Sequence, residues 1–431
     1  MASGRGLSGF PEWLPEQELV QQRVIALIRE QFELHGFTPI HTRSLERMED
    51  LVSQGETEKE IYVVHRHARD ASDDDDKLGL HYDLTVPFAR YVGENRGRLV
   101  FPFRRYQIQQ AWRGERPQLG RFREFIQADI DVIGMERLDV RHDAEMVSLL
   151  HRIMERLPFP HVKLQVNNRK LLEGFYRGIG IDRVVETLRV VDKLNKIGPD
   201  GVTDGLVALG LSLDQASACI RFCGIEAATP EELDAVRELG ASHPLFDEGL
   251  AELRFVLETC ARQGARPGAV VAALHVARGF DYYTGTVVEG VLADHGSLGA
   301  VCSGGRYDNL ASEGNVKLPG VGVSIGVTRL LSYCFHLGLL ETGPKTPAKV
   351  VVAVHSDRSR DVSDAAADAL RDRGIPCLVS DRADAYGRQM AAAERLGVRY
   401  LWFPAYKDRG HAVKDLVTGE QVDADPTTWR P

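Results

Sequence analysis

The chain has 431 residues, more than one hydrophobic core usually supports, so two or three domains are expected. Its 43% hydrophobic and 27% charged residues exclude a disordered chain, and no apolar run approaches the length of a membrane span, so the expected location is the cytoplasm. A formal net charge of −9 excludes a molecule that binds nucleic acid over its whole surface, so any RNA site has to be a local basic patch.

From Glu16 to Leu34 the residues Leu19, Val20, Val24, Leu27, Ile28 and Phe32 recur at helical spacing, and Gly36 stops the helix before an extended stretch at Phe37 to Ile40. The run ARDASDDDDK, Ala68 to Lys77, is a polar loop. Its four aspartates could hold a divalent cation or could form a solvated hairpin tip, and we assign it no function. Arg141 to Leu157 is predicted helical, and HVKLQVN from His161 alternates as a strand. Between about Arg169 and Pro267 helical segments separated by Gly and Pro form an insertion. Strand-like, Gly-rich segments return from Ala269 to Val327, and TRLLSYCFHLGLL then reads as a helix. After the linker ETGPKTPAK the order strand, helix, strand, helix, strand marks a small α/β domain. The six cysteines share no paired CxxC sets, so they read as reduced thiols packed as small hydrophobes, and no protein metal site is expected.

Three stretches carry chemistry. In RRYQIQQAWRGERPQLGRFREFIQADIDVIG, Arg104 to Gly134, the turn GERPQLG separates two alternating runs, predicting an antiparallel hairpin with a basic loop. Its second strand sets Ile126, Ala128, Ile130 and Val132 on one face and Arg123, Phe125, Gln127, Asp129 and Asp131 on the other. Gln127 and Asp131 would lie about 13 Å apart, at roughly 3.3 Å per residue, a spacing that suits the two ends of a small ligand or an ordinary exposed sheet face. Arg113, Arg116, Arg121 and Arg123 concentrate guanidinium groups that match phosphate oxygens, unless the hairpin is merely solvated. In PGVGVSIGVTRL the residues Gly320, Gly322, Ser324 and Gly326 leave one strand face nearly bare, either for a planar ligand or for close packing of a helix, and Arg329 follows at the next helix. In HVARGFDYYTGTVVEG, followed by SGGRYDNL, Arg278, Asp281, Tyr282 and Tyr283 cluster between strand-like runs, while LHYDLTVPFARYV puts Asp83 and Thr85 on one face of an extended run. The chain carries no Walker loop, Rossmann glycine pattern or G-x-S-x-G elbow, so ATP would have to bind in another way and covalent catalysis is not expected.

These residues resemble class II aminoacyl-tRNA synthetases. WRGERPQLGRFREF is similar to the second signature motif of the class and GVGVSIGVTRL to the third; RGFDYYTGTVVEG and GGRYDNL resemble segments peculiar to the histidyl-tRNA synthetase family. YDLTVPFARYV and VNNRKLL resemble its eukaryotic-type branch, and GFPEWLP the family's start, so the likeness spans nearly the whole chain. The resemblance implies an α+β fold: an antiparallel six-stranded sheet flanked by helices in a catalytic domain over residues 1–338, a helical insertion at about 169–267, a linker at 339–347 and an anticodon-binding α/β domain at 348–431. It implies histidine-tRNA ligase activity with L-histidine, ATP and tRNA(His) as substrates and Mg2+ on the ATP phosphates, in a homodimer joined through about Glu16 to Leu45, with neither membrane nor DNA as partner. By the same resemblance Asp83, Thr85 and Gln127 would hold the substrate α-amino group, with Leu84 in the same histidine-binding segment, and Asp131, Tyr282 and Tyr283 would surround the imidazole. Arg113 would contact the α-phosphate and the histidine carboxylate, Glu115 would lie near the adenine, and Arg121 and Arg329 would grip the β- and γ-phosphates. Arg278 would be the catalytic arginine at the α-phosphate, where related synthetases use a metal ion. Thr328 stands where the family usually has Glu, Ser303 where it commonly has Gly, and YGRQMAAAERLG lacks the lysines expected in the last domain. Two competitors stand beside this reading: a silent paralogue that binds histidine as a regulatory sensor, which usually lacks the last domain, and a class II ligase for proline, threonine or glycine, against which RGFDYYTG speaks.

Overall fold

The computed structural model of the chain describes residues 6–52, 59–65, 67, 77–277, 282–312 and 314–431. The aspartate run 73–76 and the segment 278–281, which includes Arg278 and Asp281, lie outside the described residues. The chain divides into two compact units, one built on Ile25–Leu340 with the stretch up to Pro11, the other on Glu341–Pro431 with Glu12–Val24.

The larger unit is organised around one sheet. Its strands are β1 (Thr38–Pro39), β5 (Phe103–Trp112), β6 (Glu124–Ile133), β7 (Val162–Asn168), β8 (Glu226–Ala227), β9 (Val270–Ala273), β10 (Tyr283–Leu292), β11 (Cys302–Tyr307) and β12 (Gly320–Gly326). A side sheet holds β2 (Leu45–Arg47), β3 (Val63–Val64) and β4 (Leu78–Leu80). Among the described residues the main sheet runs β1-β5-β6-β12-β11-β10-β7-β9-β8. Its six central members, β5 to β7 in that spatial order, are antiparallel throughout, while β1 and β9 extend the sheet by parallel pairing and β8 closes its edge. The hairpin expected from the alternation is present: β5 and β6 pair from Phe103↔Ile133 to Trp112↔Glu124, leaving 113–123 as the loop.

Helix α1 covers Pro15–Leu34, α2 Met48–Val52 and α3 Thr85–Asn95, and α4 (Arg141–Arg156) lies on the back of the sheet. The buried pair Arg306–Asp143, 2.6 Å apart, joins β11 to α4 there, so a charge on the back face is neutralised where water is excluded. The insertion comprises α5 (Arg169–Gly178), α6 (Val184–Val191), α7 (Leu194–Ala208), α8 (Leu213–Cys223), α9 (Pro230–Leu233) and α10 (Pro244–Arg262). Local chemistry sets these helix starts: the Asn168 side chain accepts from the Lys170 N–H, and Ser212 with Gln215 forms a reciprocal capping box. Cys219 and Cys223 are buried one turn apart on α8, where burial pushes both thiols up to about 12, as suits cysteines used for packing. Helix α11 (Val327–His336) follows β12 directly.

In the smaller unit β13 (Val350–Val352) pairs in parallel with β14 (Cys377–Val379) and β15 (Tyr400–Phe403), and the antiparallel strands β16 (Ala412–Asp415) and β17 (Gln421–Asp423) complete the sheet. The β16–β17 hairpin was not foreseen, because both strands are short and lie on the open edge. Alternate residues of the run KVVVAV serve two cores: Val350 and Val352 pack with Ala366, Leu370 and Trp402 of α12 (Arg360–Arg371) and β15, whereas Val351 and Ala353 pack with Ala393 of α13 (Tyr386–Arg395) and with Leu401. Helices on both faces explain why this strand is apolar without alternation.

Candidate active site

On the front of the main sheet, opposite α4, lies a cavity of about 930 Å³. Strand register builds its floor. Gln127, Asp129 and Asp131 of β6 stand opposite Gly326, Ser324 and Gly322 of β12, and the row continues through Ser303 and Glu289 to Gln165. A polar band thus crosses the sheet at right angles to the strands, assembled from residues as far apart in the chain as Asp129 and Ser324 and reached only by folding. Asp83, Thr85, Arg113, Glu115, Arg121, Tyr282, Tyr283 and Arg329 line the same cavity, so most residues singled out in the sequence meet in one chamber. Leu84 does not: its side chain is fully buried in the core, so only its backbone could serve a ligand.

Each wall residue is held by its own element. Asp83 precedes α3, and its Oδ1 accepts the Val86 N–H at 3.0 Å while Oδ2 meets no protein donor. Burial raises its carboxyl, opposed by that N–H and by the charge of Arg113. Arg113, the first residue after β5, donates from Nε to the Tyr82 carbonyl at 3.0 Å and lies 5.1 Å above the Phe125 ring. Arg121 and Glu115 pair across the hairpin loop at 3.3 Å, in a solvent-exposed bond of little net strength. Arg329, in the first turn of α11, donates to the Leu298 carbonyl at 3.2 Å and to the Tyr333 hydroxyl at 3.3 Å. Tyr282 and Tyr283 meet edge to face at 4.8 Å, and Tyr282 meets Tyr307 nearly perpendicularly at 6.2 Å. Burial raises all three phenols, so they remain neutral donors at physiological pH.

Asp131 is more committed than its strand position suggested. Its Oδ2 pairs with Arg105 at 2.6 Å and its Oδ1 accepts from Tyr307 at 2.7 Å, and Arg105 is itself fully buried with its guanidinium 4.1 Å above the Phe88 ring. A carboxylate has further lone pairs, so Asp131 can still accept one ligand donor. Arg105 and Tyr307 escaped the sequence reading. The available signal was the β5–β6 register, which sets Arg105 directly opposite Asp131. The glycines also read differently in three dimensions. A β-carbon at Gly322 would stand 2.0 Å from Asp131 Oδ1, and one at Gly320 would stand 2.4 Å from the Tyr307 ring. Their bare face accommodates neighbouring side chains first; Gly326 remains on the cavity wall. Thr328, buried at the start of α11, accepts the Ile126 N–H at 2.8 Å just where β12 ends, which satisfies a ladder donor that would otherwise be orphaned. The insertion contributes Val191, Asp192 and Leu194 from the α6–α7 junction to the cavity wall, a contribution that helical periodicity could not reveal.

Comparison with known proteins agrees with this geometry. The family profile described as histidyl-tRNA synthetase matches residues 9–330. The histidine–tRNA ligases of Cutibacterium acnes and Micrococcus luteus are 50% and 47% identical to this chain, each over 100% of it and 97% of the relative. The crystal structure of histidyl-tRNA synthetase from Nostoc sp. PCC 7120 superposes with a TM-score of 0.88 at 33% identity, covering 98% of this chain and 97% of that one. These relatives are bacterial, so the eukaryotic-type branch expected from YDLTVPFARYV and VNNRKLL finds no support. With a family match over most of the chain and full-length relatives at this identity, the chain belongs to the histidyl-tRNA synthetase family.

Proposed function

We propose that the cavity holds L-histidine and ATP side by side and joins them as histidyl-adenylate, after which the histidyl group passes to the 3′ end of tRNA(His). The observation that carries this reading is the meeting of two guanidinium groups, Arg113 and Arg329, with a tyrosine pair and unpartnered acceptor oxygens in one chamber. Arg113 bridges the α-phosphate and the histidine carboxylate, holding nucleophile and electrophile in line. Arg121 and Arg329 draw the β- and γ-phosphates away as pyrophosphate leaves, and Glu115 attends the adenine. Arg278 neutralises charge at the α-phosphate. Such a transfer needs positioning and charge stabilisation rather than a covalent intermediate, which is what arginines supply. Mg2+ enters as part of the substrate MgATP. Asp83, Thr85 and Gln127 take the α-amino group, and Asp131, Tyr282 and Tyr283 enclose the imidazole. A site that hydrogen-bonds both ring nitrogens rejects apolar isosteres by about 10⁴ to 10⁵, so no editing step is required.

In the smaller unit the His355 ring lies 3.6 Å from that of Tyr406, tilted by 36°, beside Tyr386, and Lys407 lies over the Tyr406 ring at 5.4 Å. An aromatic cluster with an adjacent cation suits unpaired bases, which supports anticodon binding by residues 348–431. The remaining assignments are a catalytic domain over 1–338 with the insertion at 169–267 and the linker at 339–347, a homodimer joined through about Glu16 to Leu45, and a cytoplasmic location. No helix among the described residues is long and apolar enough to cross a membrane.

Histidine-dependent exchange of pyrophosphate into ATP tests the reading. Exchange is expected with histidine and not with proline, threonine or glycine, and Arg278→Ala should lower it by at least about 10² to 10³. Histidine binding without exchange would instead mark a regulatory sensor, and wild-type exchange by the variant would remove Arg278 from the chemistry.

A further inference from the structure

Among the described residues, three acceptor atoms in the chamber meet no protein donor: Asp83 Oδ2, Gln127 Oε1 and Asp129 Oδ1. Both aspartates are 3% exposed, so water does not freely solvate them. A buried acceptor without a partner costs free energy, and three around one chamber describe the shape of a missing donor. Of the nearby cations, Arg113 donates through Nε to the Tyr82 carbonyl, and Arg105 pairs with Asp131 at 2.6 Å while its charge also acts on Asp129. Three carboxylates, those of Asp83, Asp129 and Asp131, therefore outnumber the cations facing them. A group that brings positive charge and several N–H donors satisfies these acceptors, and an ammonium group brings one charge and three donors.

The acceptors are bound into one unit. Gln127 and Asp129 are alternate residues on the same face of β6, about 6.6 Å apart along the strand. Ser324 of β12 links them, because its hydroxyl accepts from Gln127 Nε2 at 2.8 Å and bonds the Asp129 carboxyl. That contact turns Gln127 so that its carbonyl oxygen is the free end. Asp83 approaches near enough for its charge to act on Asp129.

We infer that Asp129, which neither the family motifs nor the strand pattern assigned, receives the α-ammonium group of the amino acid together with Asp83 and Gln127. The inference rests on the proposed function, since it takes the occupant to be an amino acid. Asp129 then selects for the ammonium end of the substrate, while Arg113 holds the carboxylate end. Burial, with the charges of Asp131 and Asp83, raises its carboxyl to about 7 against the opposing pull of Arg105 and the Ser324 hydroxyl. Below neutrality it is largely protonated, and an arriving ammonium displaces that proton.

Calorimetric titration of the full chain with two fragments of histidine tests this. Histamine keeps the ammonium and lacks the carboxylate; 3-(imidazol-4-yl)propanoate does the reverse. Asp129→Asn is expected to weaken histamine binding about 10- to 100-fold, the worth of a hydrogen bond between charged groups, and to leave the propanoate unchanged or tighter. Equal loss of both fragments, or of neither, overturns the assignment. A second measurement uses one ligand on two proteins: at pH 6.5, in two buffers of different ionisation enthalpy, histamine should release more protons on binding to the unmodified chain than to Asp129→Asn, and equal release counts against the inference. Absence of histidine-dependent exchange in the unmodified protein would instead sink the functional reading, so the two failures are distinguishable.

Discussion

At the scale of single residues, the chamber's carboxyls differ in how far the protein itself satisfies them. Asp131 is paired with Arg105 and accepts a hydrogen bond from Tyr307, whereas Asp129 and Asp83 each keep an oxygen without a donor. The consequence for Asp129 is measurable without substrate. A carboxyl raised from 3.8 to about 7 by folding contributes stability that is complete below the lower value and is lost as pH rises through the higher one. From pH 5 to 8 the unliganded protein should lose on the order of 2–3 kcal/mol from this group. Asp129→Asn does not titrate, so the difference in denaturant midpoint between the two proteins should move in favour of the variant across that window; a flat difference would contradict the raised carboxyl. Much of this chemistry was visible one residue at a time. Arg113, Gln127, Tyr282 and Tyr283 were marked by residue type and local pattern, but whether an oxygen is free or taken depends on partners such as Arg105, which sequence does not connect to it.

At the scale of elements, the β5–β6 hairpin and β12 do the positioning. Alternation in IQADIDVI was enough to predict which residues of β6 share a face, because strand geometry repeats every two residues whatever surrounds it. The glycines of β12 were legible as unusual and misleading as to cause. Gly322 gives room to Asp131, with a β-carbon there only 2.0 Å from Oδ1. Gly322→Ala should therefore push Asp131 off Arg105 and Tyr307, costing about 1–3 kcal/mol of stability by overpacking and raising the KM for histidine more than it lowers kcat. Denaturant unfolding and exchange kinetics on the same variant check both, and an unchanged KM would show that Asp131 does not communicate with the amino acid. Thr328 makes the same point in reverse. It departs from the family's usual Glu, yet in the fold it closes the ladder at Ile126, where β12 has turned into α11.

At the scale of the whole molecule, two units with separate cores divide the work expected of a ligase. Leu370, fully buried between α12 and the smaller sheet, belongs to the core of residues 341–431. Leu370→Ala should destabilise that unit by about 2–5 kcal/mol, seen in the emission of Trp402 and Trp429, and on warming should abolish tRNA charging before pyrophosphate exchange. Simultaneous loss of both activities would argue against assigning RNA recognition to that unit. The sequence by itself determined the order of elements, the hairpin, the apolar and polar faces of β6, the change to an α/β pattern after the linker and the motifs that name the family. Each of these is written in residues a few positions apart, where backbone periodicity and turn chemistry act. Only the tertiary structure decided that Asp131 is already paired, that Asp129 is not, that the glycines of β12 shelter neighbouring side chains, and that the insertion reaches the cavity wall. Those outcomes depend on register between strands far apart in the chain and on exclusion of water from the space between them, and neither is encoded at any one position.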